Sequence, residues 1–218
     1  MAHKVHPKVF RIRGIGDWLA RGFYGKKIAK GLAEDFRIRE FLNKKLATMA
    51  VEKIEIERSS GKINIIIASA RPGLIIGRGG KGIEELKREL EKKIKSSASQ
   101  EFKRELRIEI VEIKDPWTSA SLSAQWIAQQ IEKRLPYRRV LKGSLEKIIA
   151  HKQIQGARIE MAGRLDGSSI ARREWLRKGQ LPRNTIRADI DFATATAHCS
   201  YGSVGIKVWI YNGEKFDA

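Results

Sequence analysis

The sequence predicts an α+β fold in two domains, and three observations carry that expectation. Apolar and polar residues alternate in two strand-length runs, Val51 to Glu57 and Lys62 to Ile67, joined by the turn Ser59-Ser60-Gly61. An amphipathic run follows, with Ile83, Leu86, Leu90 and Ile94 at helical spacing, and then a third alternating run through Leu106, Ile108 and Ile110. Past Asp115-Pro116 the pattern changes to two helices followed by long strands, which predicts a second, α/β sandwich-like domain over 115–218.

A length of 218 residues accommodates one or two domains with a real core. The formal charge of +19 makes a polyanion the expected partner, either nucleic acid or an acidic membrane surface. The longest apolar stretches, such as Ile63 to Ala70, are strand-sized, so no membrane span is expected. The start Met-Ala-His-Lys-Val-His-Pro has no apolar signal region, and a single Cys fits a reducing compartment. A cytoplasmic protein is expected, without a cofactor or a small-molecule substrate.

Leu74-Ile75-Ile76-Gly77-Arg78-Gly79-Gly80-Lys81 is the most informative stretch. Gly-X-X-Gly directly before a helix allows another backbone to approach closely, because Gly77 and Gly80 lack a Cβ. The helix N-terminus behind it favours phosphate, and Arg78 and Lys81 add full charges. No Walker lysine-serine/threonine pair follows the loop. Gly77, Gly79 and Gly82 have dinucleotide-loop spacing, but they follow a hairpin strand rather than the first strand of a βαβ unit. A plain helix-entry turn is the competing reading. Helix, strand, strand, GXXG, helix, strand is the order of a type II KH domain, a module that clamps single-stranded nucleic acid. Its expected limits are 17–114.

Residues 1–16 read as a basic, turn-rich arm that carries Lys4, Lys8, Arg11 and Arg13 and orders on RNA. Its His3 and His6 lack companion cysteines for a metal site. Between Asp17 and Met49 the second half is expected to be helical, with Phe36, Phe41, Leu42 and Leu46 as its buried stripe. Ser119 to Leu135 reads as a helix buried through Ala124, Ile127, Ile131 and Leu135, ended by Pro136. The next helix carries Arg138, Arg139 and Lys142 on one broad face, with no acid between Lys133 and Gly143. That face is a candidate nucleic-acid contact. A strand near Arg158 to Met161, a short helix near Ile170 to Leu176, and strands over Thr185 to Ala197 and Val204 to Tyr211 complete the chain. Arg164, Arg172, Arg173, Arg177 and Lys178 form a second basic cluster. Asp189 and Asp191 share a strand face, where neutralisation by arginines is favoured over a metal or acid–base role. His198 and Cys199 are sequence neighbours in a strand and point apart.

Several segments together resemble the bacterial family of small-subunit ribosomal protein three, over nearly the whole chain. They are the opening His-Lys-Val-His-Pro, the run Ala70-Arg71-Pro72-Gly73-Leu74-Ile75-Ile76-Gly77, and Gly163-Arg164-Leu165 with Ile170-Ala171-Arg172 and Glu174-Trp175. Thr185-Ile186-Arg187-Ala188-Asp189-Ile190-Asp191, Tyr201-Gly202, and Gly205-Ile206-Lys207-Val208-Trp209-Ile210 complete them. The resemblance implies a structural protein of the small-subunit head at the mRNA entrance. Its arm and C-terminal domain would hold rRNA, and the tenth and fourteenth small-subunit proteins would be its neighbours. By the same resemblance Arg138, Arg139 and Lys142 match a basic triad that lines the entrance and assists unwinding of mRNA. Two departures stand out: Gly79 occupies a position where a second basic residue is common, and the basic tail of many members is missing. A free-standing KH regulator and a nucleic-acid lyase are the readings from other classes.

Overall fold

Isoleucine at every second position builds the first sheet. The computed structural model describes residues 5–11, 18–22, 24, 28–59, 61–97 and 105–216. They divide into two units, residues 18–114 in one and the rest in the other. In the first, β1 (Ala20–Gly22), β2 (Val51–Arg58), β3 (Lys62–Ser69) and β4 (Glu105–Glu112) lie side by side in that order. β2 and β3 form an antiparallel hairpin, while β1 joins β2 and β4 joins β3 in parallel. Ile54, Ile56, Ile63, Ile65, Ile67 and Leu106 form one buried layer. The helices α2 (Ile28–Lys45) and α4 (Lys81–Ser97) supply the opposing layer, with Ile38, Leu42, Leu86, Leu90 and Ile94; Leu46 just past α2 completes it. Each such side chain contributes roughly 1.5–3 kcal/mol over leaving it exposed. This layer, rather than surface charge, holds the loop before α4 in place.

One polar group is buried at its edge. The Arg58 guanidinium donates from Nε to Asp35 (2.6 Å) and from Nη1 to Glu34 (2.8 Å), and the Tyr24 hydroxyl donates to Asp35 (2.6 Å). Burial opposes the Arg58 charge, but the hydrogen bonds to Glu34 and Asp35 outweigh it and keep the group cationic.

The second unit is one antiparallel sheet under two helices. α5 (Ala120–Glu132) and α6 (Tyr137–Ile149) precede β5 (Gly156–Gly163), β6 (Arg172–Gly179), β7 (Ala188–Cys199) and β8 (Gly202–Glu214). The strand order is β6-β5-β8-β7. Ala157, Ile159, Met161, Ile206, Val208 and Ile210 pack against Ile127, Ile131, Val140, Leu141, Leu145 and Ile148 of the helices. The α+β class is therefore borne out, with parallel pairs in the first sheet and none in the second.

Four expectations need correction. The segment read as a helix near Ile170 to Leu176 is instead mostly strand β6, paired with β5 along its whole length. Gly156 and Gly179 explain the tight end of that pairing. A Cβ at Gly156 would stand 1.9 Å from the Gln180 carbonyl oxygen, and Gly179 has φ +78°. The described part of the arm is helical rather than turn-rich, because it forms the short helix α1 (Pro7–Arg11) within the second unit. Phe36 is exposed rather than part of the α2 stripe, and Ile38 takes its place in the core. Leu135 lies past the end of α5 and is also exposed, since Arg134 turns the chain with φ +61°. Ahead of the glycine-rich loop, Pro72–Ile76 forms the short helix α3, started by Pro72 in its first turn.

Candidate nucleic-acid interface

The Gly77–Lys81 loop is a tight connection between two helices. Gly77, Gly79 and Gly80 have φ of +70°, +62° and +80°, values that residues with a Cβ rarely adopt. The next residue, Gly82, allows the helices to touch, because a Cβ there would lie 2.6 Å from the Ile75 carbonyl oxygen. Gly79 occupies a left-handed position at the loop tip with open space around it. The Gly80 and Lys81 amides donate back to the Gly77 and Arg78 carbonyls, so cations and the helix dipole dominate what the loop offers. Arg78 and Lys81 are both exposed there, at the entry to the 17-residue α4.

The second candidate lies on α6. Its inner face is anchored by Val140, Leu141, Ser144, Leu145 and Ile148. Burial of that stripe leaves Arg138, Arg139 and Lys142 exposed together on the outside. Among the described residues neither Arg139 nor Lys142 is held by a hydrogen bond or ion pair. Arg138 is steered by a relay in which its Nε donates to the Tyr137 hydroxyl (3.0 Å), which donates to Glu174 (2.8 Å). The hydroxyl, and behind it Glu174, push the Arg138 guanidinium further toward the charged form.

The remaining basic residues are not brought into one site. Lys4 and Arg13 lie outside the described residues. Arg11 is buried, not a free phosphate contact: its guanidinium donates to the carbonyls of Pro7, Arg183 and Thr185, with Pro182 at 3.4 Å. Lys8 pairs with Asp191 at 2.6 Å. Arg164 braces a turn through Ser168 (2.8 Å) and Tyr201 (3.0 Å) while remaining exposed. On β6, alternation sends Arg172 and Lys178 to one face and Arg173 and Arg177 to the other. Reading that stretch as a helix concealed the separation, and with it the row Arg173, Trp175, Arg177. Its period-two alternation of cations and an aromatic was the available signal.

The two carboxylates of β7 are neutralised by lysines rather than arginines. Asp189 pairs with Lys215 (3.1 Å), and Asp191 takes Lys8 and the Ala120 amide at the start of α5 (2.6 Å). Among the described residues no group of three potential ligands could hold a metal ion. The Cys199 thiol donates to the Ile131 carbonyl (3.9 Å), and the nearby thiol and then burial push the Tyr201 phenol up to about 12. No described helix is long and apolar enough to cross a membrane.

A glycine-rich loop on a helix entry, an exposed basic helix face and a strongly positive chain fit the class of RNA-binding proteins with a KH module. Residues 37–118 match the KH domain family, and residues 127–210 match the family described as ribosomal protein S3, C-terminal domain. The chain is 44% identical over 220 residues to small ribosomal subunit protein uS3 of Maridesulfovibrio salexigens, covering 100% of this chain and 98% of that one. Its identity to the uS3 protein of Oleidesulfovibrio alaskensis is 43%, with the same coverage, and to uS3c of Guillardia theta 39%, covering 99% and 96%. The chain belongs to the small ribosomal subunit protein uS3 family.

Proposed function

We propose that this chain is a structural, non-catalytic part of the small-subunit head in the cytoplasmic ribosome, where it holds rRNA and lines the mRNA entrance. The exposed triad on α6 carries the entrance reading. Arg138, Arg139 and Lys142 sit on a helix clamped to its own core, with two of the three cations uncommitted to protein partners. Such a face holds backbone phosphates without reading sequence. Gripping a strand that has just melted favours the open state over the paired one, and translocation supplies the pulling. The Gly77–Lys81 loop grips a further single-stranded segment, and Lys4, Arg13, Arg164, Arg172, Arg173, Arg177 and Lys178 contribute rRNA contacts. The tenth and fourteenth small-subunit proteins are the neighbours that the family likeness supports.

The test is a triple Arg138→Ala, Arg139→Ala, Lys142→Ala chain incorporated into ribosomes. Messages with a stable hairpin at the entrance should slow, while unstructured messages and assembly stay near normal. An unchanged ratio between hairpin and linear messages contradicts the entrance role, and failed assembly shows that the triad anchors rRNA instead.

A further inference from the structure

The helices α5 and α6 cover only one face of the second sheet. On the other, strand register aligns two rows across β6, β5, β8 and β7. The first is Arg177, Arg158, Trp209 and Phe192, and the second is Trp175, Glu160, Lys207 and Thr194. Arg173 stands beside Trp175 on the edge strand. One end of this face is occupied: His6 of the arm lies edge-on to Phe192 at 4.8 Å, and Leu181 packs with Ile190 and Tyr211. Trp175, Lys207 and Thr194 remain exposed, with Trp175 at 49%.

Trp175 is large, apolar and half in water, yet it is held. The Arg158 guanidinium lies 4.2 Å from its ring centroid and 5.5 Å from that of Trp209. Arg158 is itself buried at 8% exposure and fixed by Glu160 at 2.8 Å. One indole face therefore rests on a cation that cannot move away, and the exposure belongs to the other. Arg173 and Arg177 flank it on β6 and Lys207 lies two strands along the same row, while Glu160 is the one acid in the two rows and is already engaged by Arg158 and Arg173. Arg183 lies within electrostatic reach of Arg158, Glu160 and Arg177, and burial is the main cause that lowers its guanidinium below its ordinary value. With one acid, already engaged, against several cations, the face matches a polyanion better than the mixed charge of an ordinary protein surface.

We propose that this open sheet face takes an unpaired RNA nucleotide, its base stacked on Trp175 and its flanking phosphates on Arg173, Arg177 and Arg183. The proposal rests on the RNA-binding reading of the chain and adds a base to what was a set of phosphate contacts. Sheet platforms with aromatic side chains hold single-stranded RNA in this way. Stacking is sequence-tolerant, since every base has a π-face.

The test measures binding of the full-length chain to a 12-nucleotide single-stranded RNA and to a ribose-phosphate chain of the same length without bases. The wild-type chain should prefer the RNA with bases. Trp175→Leu should weaken that binding by roughly 5- to 150-fold while leaving the base-free chain unaffected. Trp175→Phe should keep most of the preference. Arg173→Ala with Arg177→Ala should weaken both ligands and lower the salt slope by about 0.7 per phosphate lost. Should the leucine variant misfold, fluorescence decides. Emission present in the wild type and absent from the Trp175→Phe chain should be quenched by RNA and not by the base-free chain, and no quenching overturns the proposal. Equal losses on both ligands, or none on either, also overturn it, as does a loss confined to a partner protein. A wild-type chain that binds neither ligand refutes the RNA-binding reading itself.

Discussion

Replacing Arg78 and Gly79 by Asp tests whether the Gly77–Lys81 loop grips RNA or merely connects two helices. The double change shifts the loop by three charge units, because Arg78 goes from positive to negative and Gly79 gains a carboxylate. At about 6 Å in a water-like dielectric each unit of charge is worth about 0.7 kcal/mol against one phosphate. The sum is about 2 kcal/mol, or roughly a 30-fold loss in affinity. Folding should suffer far less. Both positions are exposed, and a Cβ at Gly79 meets nothing within 4 Å, so the cost is that of a left-handed Asp. That cost is about 1 kcal/mol, which lowers the melting temperature of a unit this size by roughly 4–8 °C. The assay is binding of a single-stranded RNA to the fragment 18–114, with a thermal melt followed by circular dichroism on the same sample. Unchanged affinity refutes the phosphate-gripping argument, and a collapse of the melt shows that the loop is structural.

Other outcomes follow from the same geometry. RNA affinity of the whole chain should fall by roughly 0.7 log units per log unit of salt for each phosphate neutralised on a single strand; titrations at low and physiological salt that agree would contradict it. Arg58→Ala should destabilise the first unit by about 3–5 kcal/mol, because it leaves the Asp35 carboxylate buried beside Glu34 without a counter-charge; chemical denaturation reads this directly. Burial, and then Lys8, lower the pKa of His6 below its ordinary 6.5. The folded arm thus prefers the neutral ring, and the stability it contributes is present above pH 6.5 and lost as pH falls below that value. Protection of the arm against proteolysis should decrease on acidification through that range in the wild-type chain, and His6→Phe should remove the dependence.

Much of the fold was legible because each local pattern had a single physical solution. Isoleucines at period two in β2 and β3, and the stripe of α4, could be satisfied only by burial against each other. The loop was legible for a related reason: glycines at left-handed positions leave few alternatives. What escaped the sequence were features settled by distant partners. The stretch Arg172–Gly179 has no strong local preference, and its pairing with β5 is set by the close approach of Gly156 and Gly179. Arg11 looked like a free cation, because nothing in its neighbourhood foretells the carbonyls near residue 183 that capture it. Trp175 could not be separated from core tryptophans until Arg158, on another strand, was found beneath it.

Sedimentation through a sucrose gradient tests the central claim most directly. A tagged copy of the chain should travel with small subunits and whole ribosomes and remain there at moderate salt. A chain that stays near the top of the gradient, with ribosomes intact below it, would contradict its role as a structural part of the small subunit.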